Sequence, residues 1–241
     1  MLPDGLLPRL AAVRPRFVAV RGSLLLCRGC LGPVAGGSEA GLCGRCWAGL
    51  LPLPEGRCSR CALMHLEETC PKAVAWERGD ALWDYHGGRP PLGALLLPGI
   101  KEGETGWRAA LLRRLAEAPL PDWALEVDRV TSAPSAFPRR LLRGFDLGAE
   151  IGRVVAGRID RPFEPLLAKG WLSGRQVSRT ESQRRRLPRK AIGLRRGAAP
   201  GGTILLVDDV WTTGTTLLRC AQALLAGGAA EVRVLTLFRA L

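Results

Sequence analysis

The chain has 241 residues, and its 35 Lys and Arg against 22 Asp and Glu leave a formal net charge of +13. That length can bury one α/β core of about 150 residues plus a small appendage. No apolar run approaches the roughly 18 residues of a membrane helix, so no transmembrane segment is expected. The opening MLPDGLLPRLAAVRPRF, broken by Asp4, prolines and arginines, is unlike a secretory signal, and the expected location is cytoplasmic.

Seven of the eight cysteines fall between Cys27 and Cys70, as Cys27-x-x-Cys30, Cys43-x-x-Cys46, Cys58-x-x-Cys61 and then Cys70 alone. A CxxC turn places two thiolates on one small knuckle, and two knuckles supply the tetrahedral set that Zn²⁺ prefers. Cys27, Cys30, Cys43 and Cys46, with twelve residues between the pairs, read as a zinc ribbon. The second set is short of a ligand, because the position that would close a second knuckle is Ala73. Either His65 completes Cys58, Cys61 and Cys70, or this ribbon is degenerate and holds no metal. Disulfides are the competing reading, without a secretory signal to support it. Zinc with four protein ligands is structural, since no position is left for substrate. The ribbons are assigned residues 1–75 and the second domain 76–241.

Proline-rich Pro52 to Gly56 bridges the two ribbons, and a strand-like ALWDY segment follows them. Leu92 to Ile100 is an apolar run reaching Lys101, and Thr105 to Ala118 has a helical pattern. Asp128 to Thr131 reads as the first core strand, the loop SAPSAFPRRLLRGF comes next, and Leu147 to Val155 continues as a helix. Between Arg175 and Arg196 stand nine Arg and Lys residues against the single acid Glu181. Such a patch draws phosphate-rich partners through counterion release, so Arg184, Arg185, Arg186, Arg189 and Lys190 are the candidates for single-stranded DNA. The other reading is a solvated, arginine-rich face.

Ile204 to Leu217, ILLVDDVWTTGTTL, is the most informative stretch. Ile204 to Val207 has the unbroken apolar pattern of a parallel strand covered on both faces, so Asp208 and Asp209 are expected where that strand ends, facing a crevice. Thr212, Thr213, Gly214, Thr215 and Thr216 then lead into a helix whose apolar positions run from Leu217 to Leu225, before Gly227 and Gly228 stop it. A small hydroxylated loop at a helix start offers N–H groups and hydroxyls to an anion, helped by the helix dipole. The carboxylates suit ribose hydroxyls and would repel the phosphate itself. Trp211, beside the acids, either stacks on a base or packs against the following helix. Cys220, on that helix, reads as a small core residue.

This segment resembles, position for position, the signature of type I phosphoribosyltransferases. The order of cysteine knuckles, Tyr85, Lys101 after an apolar run, a proline loop into Arg143-Gly144-Phe145, and the threonine loop is similar to the ComF family of competence proteins over nearly the whole chain. The resemblance implies an α/β fold, a type I phosphoribosyltransferase-like parallel sheet flanked by helices, with a small double zinc ribbon in front. It implies that Asp208 and Asp209 hold the ribose of phosphoribosyl pyrophosphate and Thr212 to Thr216 its 5′-phosphate. A pyrophosphate loop from Ser132 through Ala133, Pro134 and Arg140 to Arg143 is implied too, with Arg143 favoured over Arg139 and Arg140 for offsetting the leaving group's charge. Mg²⁺ would bridge pyrophosphate and ribose, reached by the acids mostly through water. Members have been tied to DNA uptake in natural transformation, which implies single-stranded DNA and DNA-uptake machinery proteins as partners. The chain departs from the family's Asn-Gln at Asp146 and Leu147, and from its Asn at Leu187, three residues after Arg184; Gln176 and Arg184 are kept. A nucleotide-salvage phosphoribosyltransferase acting on a base or amine is the alternative reading.

Overall fold

The computed structural model describes residues 26–34, 38–65, 70, 74–135, 143–169 and 192–240. Strands β1 (Ser38–Glu39) and β2 (Leu42–Cys43) pair antiparallel, and a one-turn helix α1 (Gly44–Trp47) follows. The chain then runs through β3 (Arg78–Asp84), α2 (Leu92–Lys101), α3 (Thr105–Glu117), β4 (Arg129–Ser132), α4 (Leu147–Arg158), β5 (Leu167–Lys169), β6 (Ile192–Leu194), β7 (Thr203–Trp211), α5 (Thr215–Ala226) and β8 (Glu231–Arg239). Strands β3, β8, β7 and β4, in that order, form one parallel sheet, and β5 pairs antiparallel with β6 beside it. The central strands are apolar on both faces, as a parallel sheet covered by helices requires, and Ile204 to Val207 are fully buried. The ALWDY strand is one edge of this sheet; the Asp128 to Thr131 strand, observed at Arg129–Ser132, is the other edge.

Two apolar clusters sandwich the sheet. One gathers Leu205, Val207, Leu235 and Leu237 with the inner faces of α2, α3 and α4; the other gathers Ile204, Leu206, Val232 and Val234 with Leu217, Cys220, Ala221 and Leu224 of α5. Alternation along β7 and β8 assigns these residues to opposite faces, and the 3.6-residue repeat of each helix supplies the covering stripe. Cys220 is a buried core residue here, as its place on the helix indicates. The cysteine-rich front is divided between the faces. Cys27, Leu42, Cys46 and Trp47 join the first cluster, while Cys58, Cys61, Ala62 and Trp76 join the second.

Strand β7 runs four residues past Val207, so the acids lie within it rather than at its end. The reason is β8, whose nine residues pair with β7 as far as Trp211↔Arg239. On the other side β4 stops at Ser132↔Val207, and among the described residues Asp208 onward has no strand neighbour there. The crevice is therefore made by one strand ending early beside a longer one.

Candidate functional site

The crevice opens over the last residues of β7 and the first turn of α5. Asp208, Val210, Trp211 and Thr212 through Leu217 line one cavity. Gly214 has φ of +78°, a left-handed conformation that lets the chain turn from strand to helix. A Cβ on it would come within 2.8 Å of the Trp211 indole nitrogen, so glycine is required on both counts. The first helical bond of α5 runs from the Leu218 N–H to the Gly214 carbonyl at 2.8 Å, so the N–H groups of the preceding turn have no helical acceptor. The hydroxyls of Thr213 and Thr215 lie 3.0 Å apart at the rim, and Thr212, Thr213, Thr215 and Thr216 are exposed. Donors at the positive end of a twelve-residue helix make an anion site.

The two acids have different environments. Asp209 pairs with Lys101 at the end of α2 at 2.6 Å. Asp208 is on the α5 side, where burial, and then the charge of Asp209, push its carboxyl from 3.8 up to about 7. The Asp209 N–H at 2.9 Å and the charges of Lys101 and Lys169 act against that rise. Burial and the charge of Asp208 also push the Cys220 thiol up to about 12, which keeps it a neutral core group. Lys101 stands out in the sequence only as the residue after an apolar run; its part in the site needs the fold, which carries the end of α2 to Asp209.

Trp211 does not stack at the cleft lip; it is buried in the cluster that also holds the inner face of α5. It is 3% exposed, meets Trp76 edge-on with ring centroids 5.4 Å apart, and carries the Arg239 guanidinium over its ring at 4.8 Å. Both partners are far away in sequence, and burial between them removes the face a base would need. The expectation of base stacking is corrected accordingly.

Around the implied pyrophosphate loop, Ser132 and Ala133 are buried at the end of β4, Pro134 is half-buried, and Arg143 is half-buried before α4. The Ala133 N–H donates to the Val207 carbonyl at 2.9 Å, which sets this chain against β7 just before the acids. Arg139 and Arg140 lie outside the described residues, as do Arg184, Arg185, Arg186, Arg189, Lys190, Gln176 and Leu187. Asp146 caps α4, its carboxylate accepting from the Ala149 N–H at 3.3 Å and from the Ser135 hydroxyl at 3.1 Å. Aspartate caps a helix as well as asparagine does, so this departure from the family costs the fold nothing.

The cysteines form two four-ligand groups, Cys27, Cys30, Cys43, Cys46 and Cys58, Cys61, His65, Cys70, with ligand atoms within 4.8 Å of one another in each. None of the eight cysteines is joined in a disulfide, against the disulfide reading. In the first group Cys27 and Cys46 sulfurs are 3.5 Å apart and Cys30 and Cys43 sulfurs 3.8 Å, near the roughly 3.8 Å that tetrahedral zinc with 2.3 Å bonds sets between sulfurs. Burial opposes ionisation of Cys27, but N–H groups of Cys30, Cys43 and Gly29 bring its thiol down to about 6, so it is ready to be a thiolate ligand. The second group repeats the first knuckle bond for bond. Cys27 N–H donates to Gly32 carbonyl and Leu31 N–H to Cys27 carbonyl; Cys58 N–H donates to Leu63 carbonyl and Ala62 N–H to Cys58 carbonyl, all at 2.9 Å. Leu31 and Ala62 share a positive φ, 59° and 56°. His65 Nε2 lies 2.9 Å from the Cys61 sulfur, the place the missing fourth ligand requires. Both donor sets fit zinc. Metal analysis is expected to find two zinc ions per chain and one after His65→Ala; two tightly held ions in that variant would remove His65 from the ligand set.

Residues 172–241 match the model of the phosphoribosyl transferase domain. The chain is 31% identical over 222 residues to the DNA utilization protein YhgH of Salmonella typhi, covering 83% of this chain and 85% of that protein. The chain belongs to the ComF-like phosphoribosyltransferase-like family. Among solved structures, this ComF-like chain is 26% identical to the glutamine phosphoribosylpyrophosphate amidotransferase of B. subtilis, covering 54% of this chain, at a TM-score of 0.37. It spans a quarter of the amidotransferase. It is 17% identical to orotate phosphoribosyltransferase from Aeropyrum pernix, over 59% of this chain and 64% of that one, at a TM-score of 0.35.

Proposed function

We propose that this ComF-like protein binds phosphoribosyl pyrophosphate with Mg²⁺ in the β7–α5 crevice and acts in the cytoplasm on DNA taken up during transformation. The observation that carries the first part is the single cavity shared by Asp208 and the Thr212 to Leu217 turn, which sets a hydroxyl-binding carboxylate beside an anion-binding helix start. Asp208 and Asp209 hold the ribose hydroxyls and Thr212 to Thr216 the 5′-phosphate. Lys101, already beside Asp209, adds a cation where the pyrophosphate charge lies. Arg143 serves the same charge. Mg²⁺, when bound, neutralises the pyrophosphate oxygens. Calorimetric titration with phosphoribosyl pyrophosphate and Mg²⁺ tests this, with one saturable site per chain expected; absence of binding by folded protein would sink the reading.

The DNA part rests on the basic run from Arg175 to Arg196 and on a relative named for DNA utilization. Single-strand binding through this run is salt-dependent. Each neutralised phosphate contributes about −0.7 to the slope of log affinity against log salt, so four or five engaged arginines give a slope near −3. Replacing Arg184, Arg185 and Arg186 by Ala is expected to flatten it by about two units. A triple variant with wild-type DNA affinity and slope would leave the run a solvated face.

A further inference from the structure

Three successive carbonyls of the second knuckle are all engaged, two by strands of the sheet and one by the Trp76 side chain just before β3. Ser59 accepts from the Gly79 N–H at 2.7 Å, Arg60 from the Trp76 indole at 2.7 Å, and Cys61 from Arg239 Nε at 3.3 Å. Trp76 continues the connection by its edge-on contact with Trp211. Arg239 continues it more directly, its Nη1 donating at 2.8 Å to the carbonyls of Trp211, Thr212 and Ala240. Gly79 is what allows the approach, since a Cβ there would fall 3.0 Å from the Arg60 carbonyl and 3.1 Å from the Trp211 ring.

Arg239 is 3% exposed at the end of β8, and among the described residues no carboxylate pairs with it. A buried guanidinium without a counter-charge is costly. Three thiolates, one imidazole and one Zn²⁺ sum to a single negative charge, and the Cys61 carbonyl bond sets that centre beside the guanidinium. The metal-loaded knuckle thus provides both an acceptor and an opposite charge, and Arg239 passes its position to the Trp211 and Thr212 carbonyls at the start of the phosphate turn.

We propose that Arg239 is a positioning residue through which the Cys58, Cys61, His65, Cys70 knuckle holds the Trp211–Thr212 backbone in its ligand-binding shape. This rests on the reading of Thr212 to Thr216 as the phosphate turn. It makes zinc at the second group, whose Cys61 stands 178 residues before Arg239 in sequence, a condition for tight ligand binding.

The test measures zinc content and calorimetric affinity for ribose 5-phosphate on the full chain, in wild type, Arg239→Met, His65→Ala and the double variant. Arg239→Met is expected to keep two zinc ions and to bind about ten- to a hundredfold more weakly, as loss of charged hydrogen bonds to a binding loop implies. His65→Ala loses one zinc and is expected to show a similar weakening. The double variant is expected to be little weaker than either single one, because both break one connection. Arg239→Lys keeps the charge, and it is expected to fold and to recover part of the affinity; it decides the matter if the methionine variant does not fold. Arg113→Ala, which breaks an exposed ion pair to Glu39, is the control for general surface change. Wild type that binds while Arg239→Met or Arg239→Lys and His65→Ala bind equally well overturns the coupling alone; folded wild type that does not bind overturns the phosphate-turn reading and the coupling with it. Fully additive losses in the double variant also overturn the coupling.

Discussion

Asp208→Asn with Asp209→Asn is expected to weaken phosphoribosyl pyrophosphate binding by more than about a hundredfold, since each carboxylate-to-hydroxyl bond is charge-assisted and two are lost together. The fold is expected to survive, because both side chains border the crevice and neither supplies apolar packing. Calorimetry on a variant with a wild-type circular dichroism spectrum decides it, and unchanged affinity would remove the acids from the site. Asp208→Asn alone makes a second, thermodynamic statement. Its folded-state pKa of about 7 lies above the ordinary 3.8, so the folded protein binds this proton more tightly than the unfolded chain does. The sign follows: this group's contribution to stability falls as pH rises from about 4 to 7 and stays low above that window. Asn removes the buried charge. The single variant is therefore expected to be more stable than wild type at pH 8, by roughly 1 to 3 kcal/mol in denaturant unfolding, and to match it near pH 4. A variant less stable than wild type at pH 8 would contradict this.

Removing the first metal is expected to be the largest loss of stability. Cys46 is 1% exposed and sits with Cys27, Leu42 and Trp47 in the cluster that also holds α2 and α3. Binding free energy at a structural zinc site is folding free energy, about 10 to 16 kcal/mol in small zinc domains. Part of it is kept here by the surrounding core, so Cys46→Ser is expected to cost about 4 kcal/mol and to lower Tm by about 10 °C. Scanning calorimetry with metal analysis checks it. A Cys46→Ser protein with wild-type zinc content and Tm would show that the first group is not a metal centre.

The parts legible in sequence are those encoded by neighbours along the chain. Ile204 to Val207, the glycine and threonines of the turn and the stripe from Leu217 to Leu225 are local patterns, and they appear where expected. The CxxC knuckles are legible for the same reason, and His65 is a candidate ligand by its place inside the second loop. What the sequence hides is pairing at a distance. The two acids look like a strand end, yet β8 keeps β7 straight through Trp211. Trp211 stays open between base stacking and packing in sequence because two residues that help bury it, Trp76 and Arg239, are respectively 135 residues before and 28 residues after it. Lys101 and Arg239 are ordinary basic residues in sequence, and only the fold, which carries the end of α2 to Asp209 and the end of β8 to Trp211 and the second knuckle, gives them partners.

Strand β3 is the outer edge of the sheet, and residues 51–60 cover that edge. The Asp84 N–H donates to the Leu51 carbonyl at 2.9 Å, Pro52 bridges Trp83, and the Gly79 N–H donates to the Ser59 carbonyl. An uncovered parallel edge is a template for pairing with another chain. The cysteine-rich front is thus not a detachable module that gene shuffling could delete or exchange at will. A chain cut anywhere between the knuckles and β3 would leave an adhesive edge behind.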